Sequence, residues 1–106
     1  MVKNVMRPVH PGEILLEEFM KGSDSPINAN TLAKGLKVPA NRITAIIKGQ
    51  RGITGDPAVR LAAFFNTTGE FWMNLQKTYE LRLAEQALPD KVRRHIEQNR
   101  NALVSA

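Results

Sequence analysis

The stretch Leu32-Ala33-Lys34-Gly35-Leu36-Lys37-Val38-Pro39-Ala40-Asn41-Arg42-Ile43-Thr44-Ala45-Ile46-Ile47-Lys48-Gly49 decides how this chain folds. Leu32, Leu36, Val38, Ile43, Ile46 and Ile47 are spaced to lock two short helices across a turn, and the small Ala33 lets the second helix cross close to the first. The pattern is that of a helix-turn-helix. Once the apolar side of the second helix is committed to the crossing, Ala40, Asn41, Thr44, Ala45 and Lys48 remain on its free face. These short or polar side chains with one long cation suit a helix that lies in a DNA major groove and reaches base edges.

Upstream, residues 1–9 form a short lead in which Lys3 and Arg7 are expected to be solvated and flexible. Pro11 opens a first helix, because proline at a first helical position gives up only an amide that would be unpaired anyway. Ile14, Leu15 and Phe19 carry its apolar stripe to Met20, with Glu13, Glu17 and Glu18 outside. After a loop marked by Gly22 and Pro26, Asn28 is placed to cap the first motif helix. Pro39 starts the second, which ends at Gly49, and residues 50–55 form a loop. Asp56 and Pro57 start a fourth helix with Ala58, Leu61, Ala62 and Phe65 on its core side. Thr67 or Thr68 caps a fifth, whose stripe of Trp72, Leu75, Tyr79 and Leu83 runs further than one small core needs. No segment alternates like a strand, so the expected fold class is all-α with five helices. Residues 1–88 form the domain, and 89–106 a basic C-terminal tail for which helix and disorder are both open.

Length and charge narrow the function. The 106 residues suffice for one domain with a real apolar core, and the formal net charge of +5 favours an anionic partner. Distribution says more than the sum. No acidic residue lies between Asp24 and Asp56, while Lys34, Lys37, Arg42, Lys48 and Arg51 all fall in that window. The absence of cysteine excludes disulfides and thiolate metal sites. No apolar run approaches the roughly 20 residues that span a bilayer, and no signal-peptide core opens the chain. The expectation is a soluble cytoplasmic protein without a membrane partner. His10 and His95 are the two histidines, one beside a helix start and one in the tail, so the sequence sets no acid–base pair. His10 belongs with the helix-start geometry of Pro11 and Gly12. The three first-helix glutamates form a solvated face rather than a metal site. No catalytic residue, metal or cofactor is expected.

The segments His10-Pro11-Gly12-Glu13-Ile14-Leu15, Arg42-Ile43, Gly49-Gln50-Arg51-Gly52-Ile53-Thr54 and Glu70-Phe71-Trp72-Met73-Asn74-Leu75-Gln76, with Tyr79-Glu80-Leu81, resemble the HigA antitoxins of the lambda-repressor-like (Xre) helix-turn-helix class. The match covers residues 10–83, and its Phe-Trp-x-Asn-Leu-Gln segment is far more specific than a bare helix-turn-helix. The resemblance implies a five-helix lambda-repressor-like domain with an extended C-terminal helix. It also implies a homodimer on a palindromic double-stranded DNA operator and a cognate ribonuclease toxin neutralised by direct binding. It puts Ala40, Asn41, Thr44, Ala45 and Lys48 on the groove side and adds Arg51 and Thr54 as sugar-phosphate contacts. The dimer contact falls in the region of Trp72, Leu75, Tyr79 and Leu83. Arg42 lies beside the reading face, where clamping a phosphate and folding back onto the helix pair are both open. Two departures stand out. Lys37 occupies a turn position that is usually glycine, at a cost of about 1 kcal/mol, for which a slightly reshaped turn and a phosphate contact from Lys37 are both open explanations. Ala29 stands where relatives often carry a phosphate-gripping Gln, a role left to Asn28 or Asn30.

Three functions compete on this sequence: an antitoxin that also represses its own operon, a stand-alone helix-turn-helix regulator without a toxin, and an RNA-processing enzyme that uses the same positive charge. The motif, the acid-free window and the family segments favour the first.

Overall fold

The computed structural model describes residues 7–22 and 24–105, and all of their regular structure is helical. Helix α1 (Pro11–Ile14) continues as a π-helical segment, Leu15–Met20. It is followed by α2 (Ala29–Leu36), α3 (Ala40–Ile47), α4 (Gly55–Phe65), α5 (Gly69–Ala87) and α6 (Asp90–Ser105). Among the described residues the count is therefore six helices rather than five, because the tail left open between helix and disorder is helical over Asp90–Ser105.

Local chemistry explains most boundaries. The Asn28 side-chain oxygen accepts the Thr31 amide at 2.8 Å and caps α2. Both threonines considered for the cap of α5 are used. Thr68 accepts the Phe71 amide at 3.0 Å, and Thr67 accepts the Trp72 indole N–H at 2.8 Å. Helix α4 starts two residues earlier than expected, with Thr54 rather than Asp56 at its N-cap. Asp56 sits instead in the first turn, where a carboxylate meets the positive end of the helix dipole, and it pairs with Arg60 at 2.9 Å. In the turn between α2 and α3, Lys37 adopts the left-handed conformation (φ 59°, ψ 48°) that the motif demands.

The π-helical segment has no counterpart in the sequence reading. The Lys21 amide bonds the Leu16 carbonyl, five residues back, at 2.9 Å. In an α-helix, residues five apart fall on different faces; the wider π turn brings Leu15 and Met20 together into the core, and both are buried. Around them lie Leu32, Ile43, Ile46, Ile53, Leu61 and Trp72. Phe19 packs on Trp72 and Phe65 with ring centroids 4.8 and 5.1 Å apart. Gly12 is where α1 meets α3, since a Cβ there would overlap the Ile46 carbonyl.

Two expectations change. Arg7 is exposed, as expected, but it is not loose: it forms two bonds of 2.7 Å to the Glu13 carboxylate, and Lys3 lies outside the described residues. Trp72 is 0% exposed, so it serves this chain's own core and presents nothing to a second copy. The far half of α5 behaves differently, with Leu81 and Leu83 exposed at 55% and 42%.

His10 is the N-cap of α1, as its position beside Pro11 suggests. Its Nδ1 accepts the Gly12 amide at 2.9 Å, and the Glu13 carboxylate reaches back to the His10 amide at 3.4 Å, which together make a capping box. The ring stands edge-on to Tyr79 at 4.8 Å. Burial pushes the His10 pKa below its ordinary 6.5, against smaller opposing pulls from the Glu13 carboxylate and a backbone hydrogen bond with Arg51.

The folded chain therefore binds fewer protons at His10 than the unfolded chain does. That stabilisation is complete above the unfolded value and is lost as pH falls through the lowered one. Urea unfolding should show stability declining from about pH 7 to about pH 5, with a shallower decline in His10→Asn, which keeps a capping acceptor but does not titrate. Lys37→Gly should raise the unfolding free energy by about 1 kcal/mol, measured in the same titrations at neutral pH.

Candidate DNA-reading face

Helix α3 has two unlike sides. Ile43 and Ile46 are buried against the core, so the side bearing Asn41, Thr44, Ala45 and Lys48 turns away from it. Asn41 and Lys48 are exposed, while Ala40, Arg42, Thr44 and Ala45 are half-buried. At 1.5 Å per residue, the span from Asn41 to Lys48 is about 10 Å, matched to a major groove about 12 Å wide. Small side chains at Ala40 and Ala45 leave room for the base edges to approach.

The chemistry of the face is specific. The Asn41 amide offers both a donor and an acceptor, the pair that an adenine edge complements. Thr44 donates its hydroxyl proton to the Ala40 carbonyl at 3.2 Å. Its free capacity is then to accept a hydrogen bond and to lay its methyl on an apolar edge. Lys48, Lys37, Arg51 and Thr54 are exposed, and among the described residues none of the three cations is ion-paired. Arg42 likewise makes no side-chain hydrogen bond or ion pair among the described residues, so of its two alternatives the fold-back is not held by a polar contact.

Two polar side chains that sequence reasoning passed over organise the surroundings. Arg60 of α4 donates to the Leu36 carbonyl at 2.7 Å, which ties the last turn of α2 to α4 beside the Lys37 turn. Gln76 of α5 is 9% exposed, and its side-chain oxygen accepts the Ile53 amide at 2.8 Å. One signal of Gln76 was visible: it lies four residues after Trp72, a polar residue in phase with an apolar stripe. His10 also acts beyond its cap. Its ring lies against Gly49, so it borders the loop that leaves α3. The His10 Nδ1 is engaged in the cap of α1, where it accepts the Gly12 amide.

No protein-family model matches the chain. It is similar to virulence-associated protein I of Dichelobacter nodosus, with 46% identity over 84 residues that make up 79% of this chain and 76% of the relative. Its fold is similar to that of a Pseudomonas aeruginosa protein solved in complex with its operator DNA, with a TM-score of 0.78 and 44% identity, covering 85% of this chain and 93% of that one. A third match is an addiction module antidote protein of the HigA family from Coxiella burnetii, 50% identical with a TM-score of 0.72, covering 88% of this chain and 95% of that one. With half of the residues shared over nearly the whole Coxiella protein, and with the helix-turn-helix geometry in place, the chain belongs to the HigA family of helix-turn-helix antitoxins.

Proposed function

We propose that this protein is a dimeric, sequence-specific DNA-binding antitoxin that represses its own operon and neutralises a cognate ribonuclease toxin by direct binding. The observation that carries the reading is the outer face of α3, where Asn41, Thr44 and Lys48 stand beside cations that have no ion pair among the described residues, in a chain 44% identical to a protein solved on its operator. Asn41, Thr44, Ala40 and Ala45 meet the bases, Lys48 and Arg42 flank them, and Arg51, Thr54 and Lys37 meet the sugar-phosphate backbone. Residues 1–88 carry both DNA binding and dimerisation, with 89–106 as an appended basic helix.

A second copy fits the far half of α5. Leu83 is exposed there and Leu75 and Tyr79 are half-buried, so these three form the contact and Trp72 supports it from beneath. A twofold dimer sets two α3 helices one DNA turn apart, about 34 Å, and so calls for a pseudo-palindromic operator.

A duplex from immediately upstream of the coding sequence should bind two chains, with affinity falling steeply as salt rises because several phosphates are neutralised. Asn41→Ala with Thr44→Ala should erase the preference over random DNA, and Arg51→Ala should weaken both duplexes alike. An unchanged preference in the double variant would place the reading face elsewhere. The toxin half is tested separately. An adjacent small basic open reading frame should be toxic when expressed alone, silent with this chain, and co-purify with it; full toxicity in its presence would leave a stand-alone regulator.

A further inference from the structure

The loop between α3 and α4 carries Arg51 and Thr54, yet it includes Gly49 and Gly52 and contributes one large apolar anchor, Ile53, to the core. A loop of that composition does not hold an arginine in one place unless something ties its backbone. Two side chains from distant parts of the chain do so. From the start of α1, the His10 ring packs against Gly49 at the head of the loop. From α5, the Gln76 oxygen accepts the Ile53 amide at 2.8 Å, across 23 positions of sequence. Tyr79, one turn further along α5, meets the His10 ring at 4.8 Å, so the two ties rest on each other.

The Gln76 tie is fixed in direction. Its side-chain nitrogen donates to the Glu80 carboxylate at 2.7 Å, which leaves the oxygen, and not the nitrogen, facing the Ile53 amide. A leucine at 76 would leave that buried amide without an acceptor, and a glutamate would set two carboxylates against each other. Gly52 completes the fit, because a Cβ there would come within 2.7–2.9 Å of the Gln76 amide group.

We infer that Gln76 is a positioning residue for DNA binding: oriented by Glu80, it holds the Ile53 amide and thereby sets the loop so that Arg51 and Thr54 meet the phosphate backbone. The inference rests on the DNA-binding reading above and adds a residue on α5, outside the motif, to the apparatus that grips DNA.

The test is an anisotropy titration of the full chain at several salt concentrations. One duplex comes from upstream of the coding sequence and the other is random. Gln76→Leu should bind both about tenfold more weakly per protomer at low salt, which keeps their ratio. The slope of log affinity against log salt should become shallower by about one per protomer. Gln76→Glu should behave like Gln76→Leu. Adding Glu80→Gln to it should restore affinity and slope, because the acceptor for Ile53 and a donor between 76 and 80 are both back. A Gln76→Leu protein with the wild-type slope overturns the inference, as does a folded double variant that is not restored. Should Gln76→Leu fail to fold, the double variant and hydrogen exchange decide: an Ile53 amide that exchanges freely in the folded wild type overturns the inference. Wild-type protein that binds neither duplex sinks the DNA-binding reading itself, a result distinct from all of these.

Discussion

The approach of Gly12 to the Ile46 carbonyl is the contact on which the rest of the structure depends. Helix α3 can offer one side to DNA only if its other side is seated, and the seat is backbone against backbone. Neither partner has a rotamer with which to relieve a clash, so any side chain at position 12 would push α3 away from α1. Ile43 and Ile46, buried on α3's inner side, are each worth about 1.5–3 kcal/mol, and both depend on that distance. His10, two residues earlier, extends the same seat past the end of α3 by leaning on Gly49. The His-Pro-Gly opening of α1 thus caps its own helix, floors α3 and borders the loop beyond it.

Charge is distributed to the same effect. Arg7 pairs with Glu13, Lys21 with Glu17, Arg60 with Asp56 and Arg82 with Glu85. Exposed pairs of this kind are worth about 0–1 kcal/mol each, so they add little to stability. Their consequence is local cancellation: Arg7, Lys21, Arg60 and Arg82 are neutralised by their partners, while around α3 the acid-free window leaves Lys37, Lys48 and Arg51 without a described partner. At a screening length of about 8 Å in physiological salt, those cations act on an approaching phosphate backbone while the paired ones are nearly silent.

The parts of this architecture that were legible in the sequence are local ones. Asn28 and Thr68 cap helices a few residues away, and Lys37 takes its left-handed turn because the helices on either side leave it no alternative. The groove-facing side of α3 followed from where its isoleucines must go. What stayed hidden depends on groups brought together by the fold. The Gln76–Ile53 and Arg60–Leu36 bonds join residues 23 and 24 positions apart, and the Gly12 contact exists only once α1 and α3 have docked. The π-helical turn is a tertiary choice as well, made to bury Leu15 and Met20 together. The apolar stripe of α5 was visible but not its division, since spacing alone does not say that Trp72 faces inward while Leu83 faces outward.

That division gives α5 its place in the mechanism. Fixing the backbone of one residue costs about 1–2 kcal/mol of conformational entropy. A loop ordered only on meeting DNA would draw that cost from the binding energy, whereas one ordered in the free protein has met it on folding. Gly49 and Gly52 of this loop are therefore not there for looseness. Gly49 has φ 75°, and Gly52 lies where a Cβ would crowd Gln76, so each is required by a fixed geometry. The residue that fixes Ile53 sits on the first half of α5, one helical turn from Glu80 on the half that faces outward. In the dimeric reading, the helix that brings two copies together is also the helix that holds each copy's phosphate-gripping loop in shape.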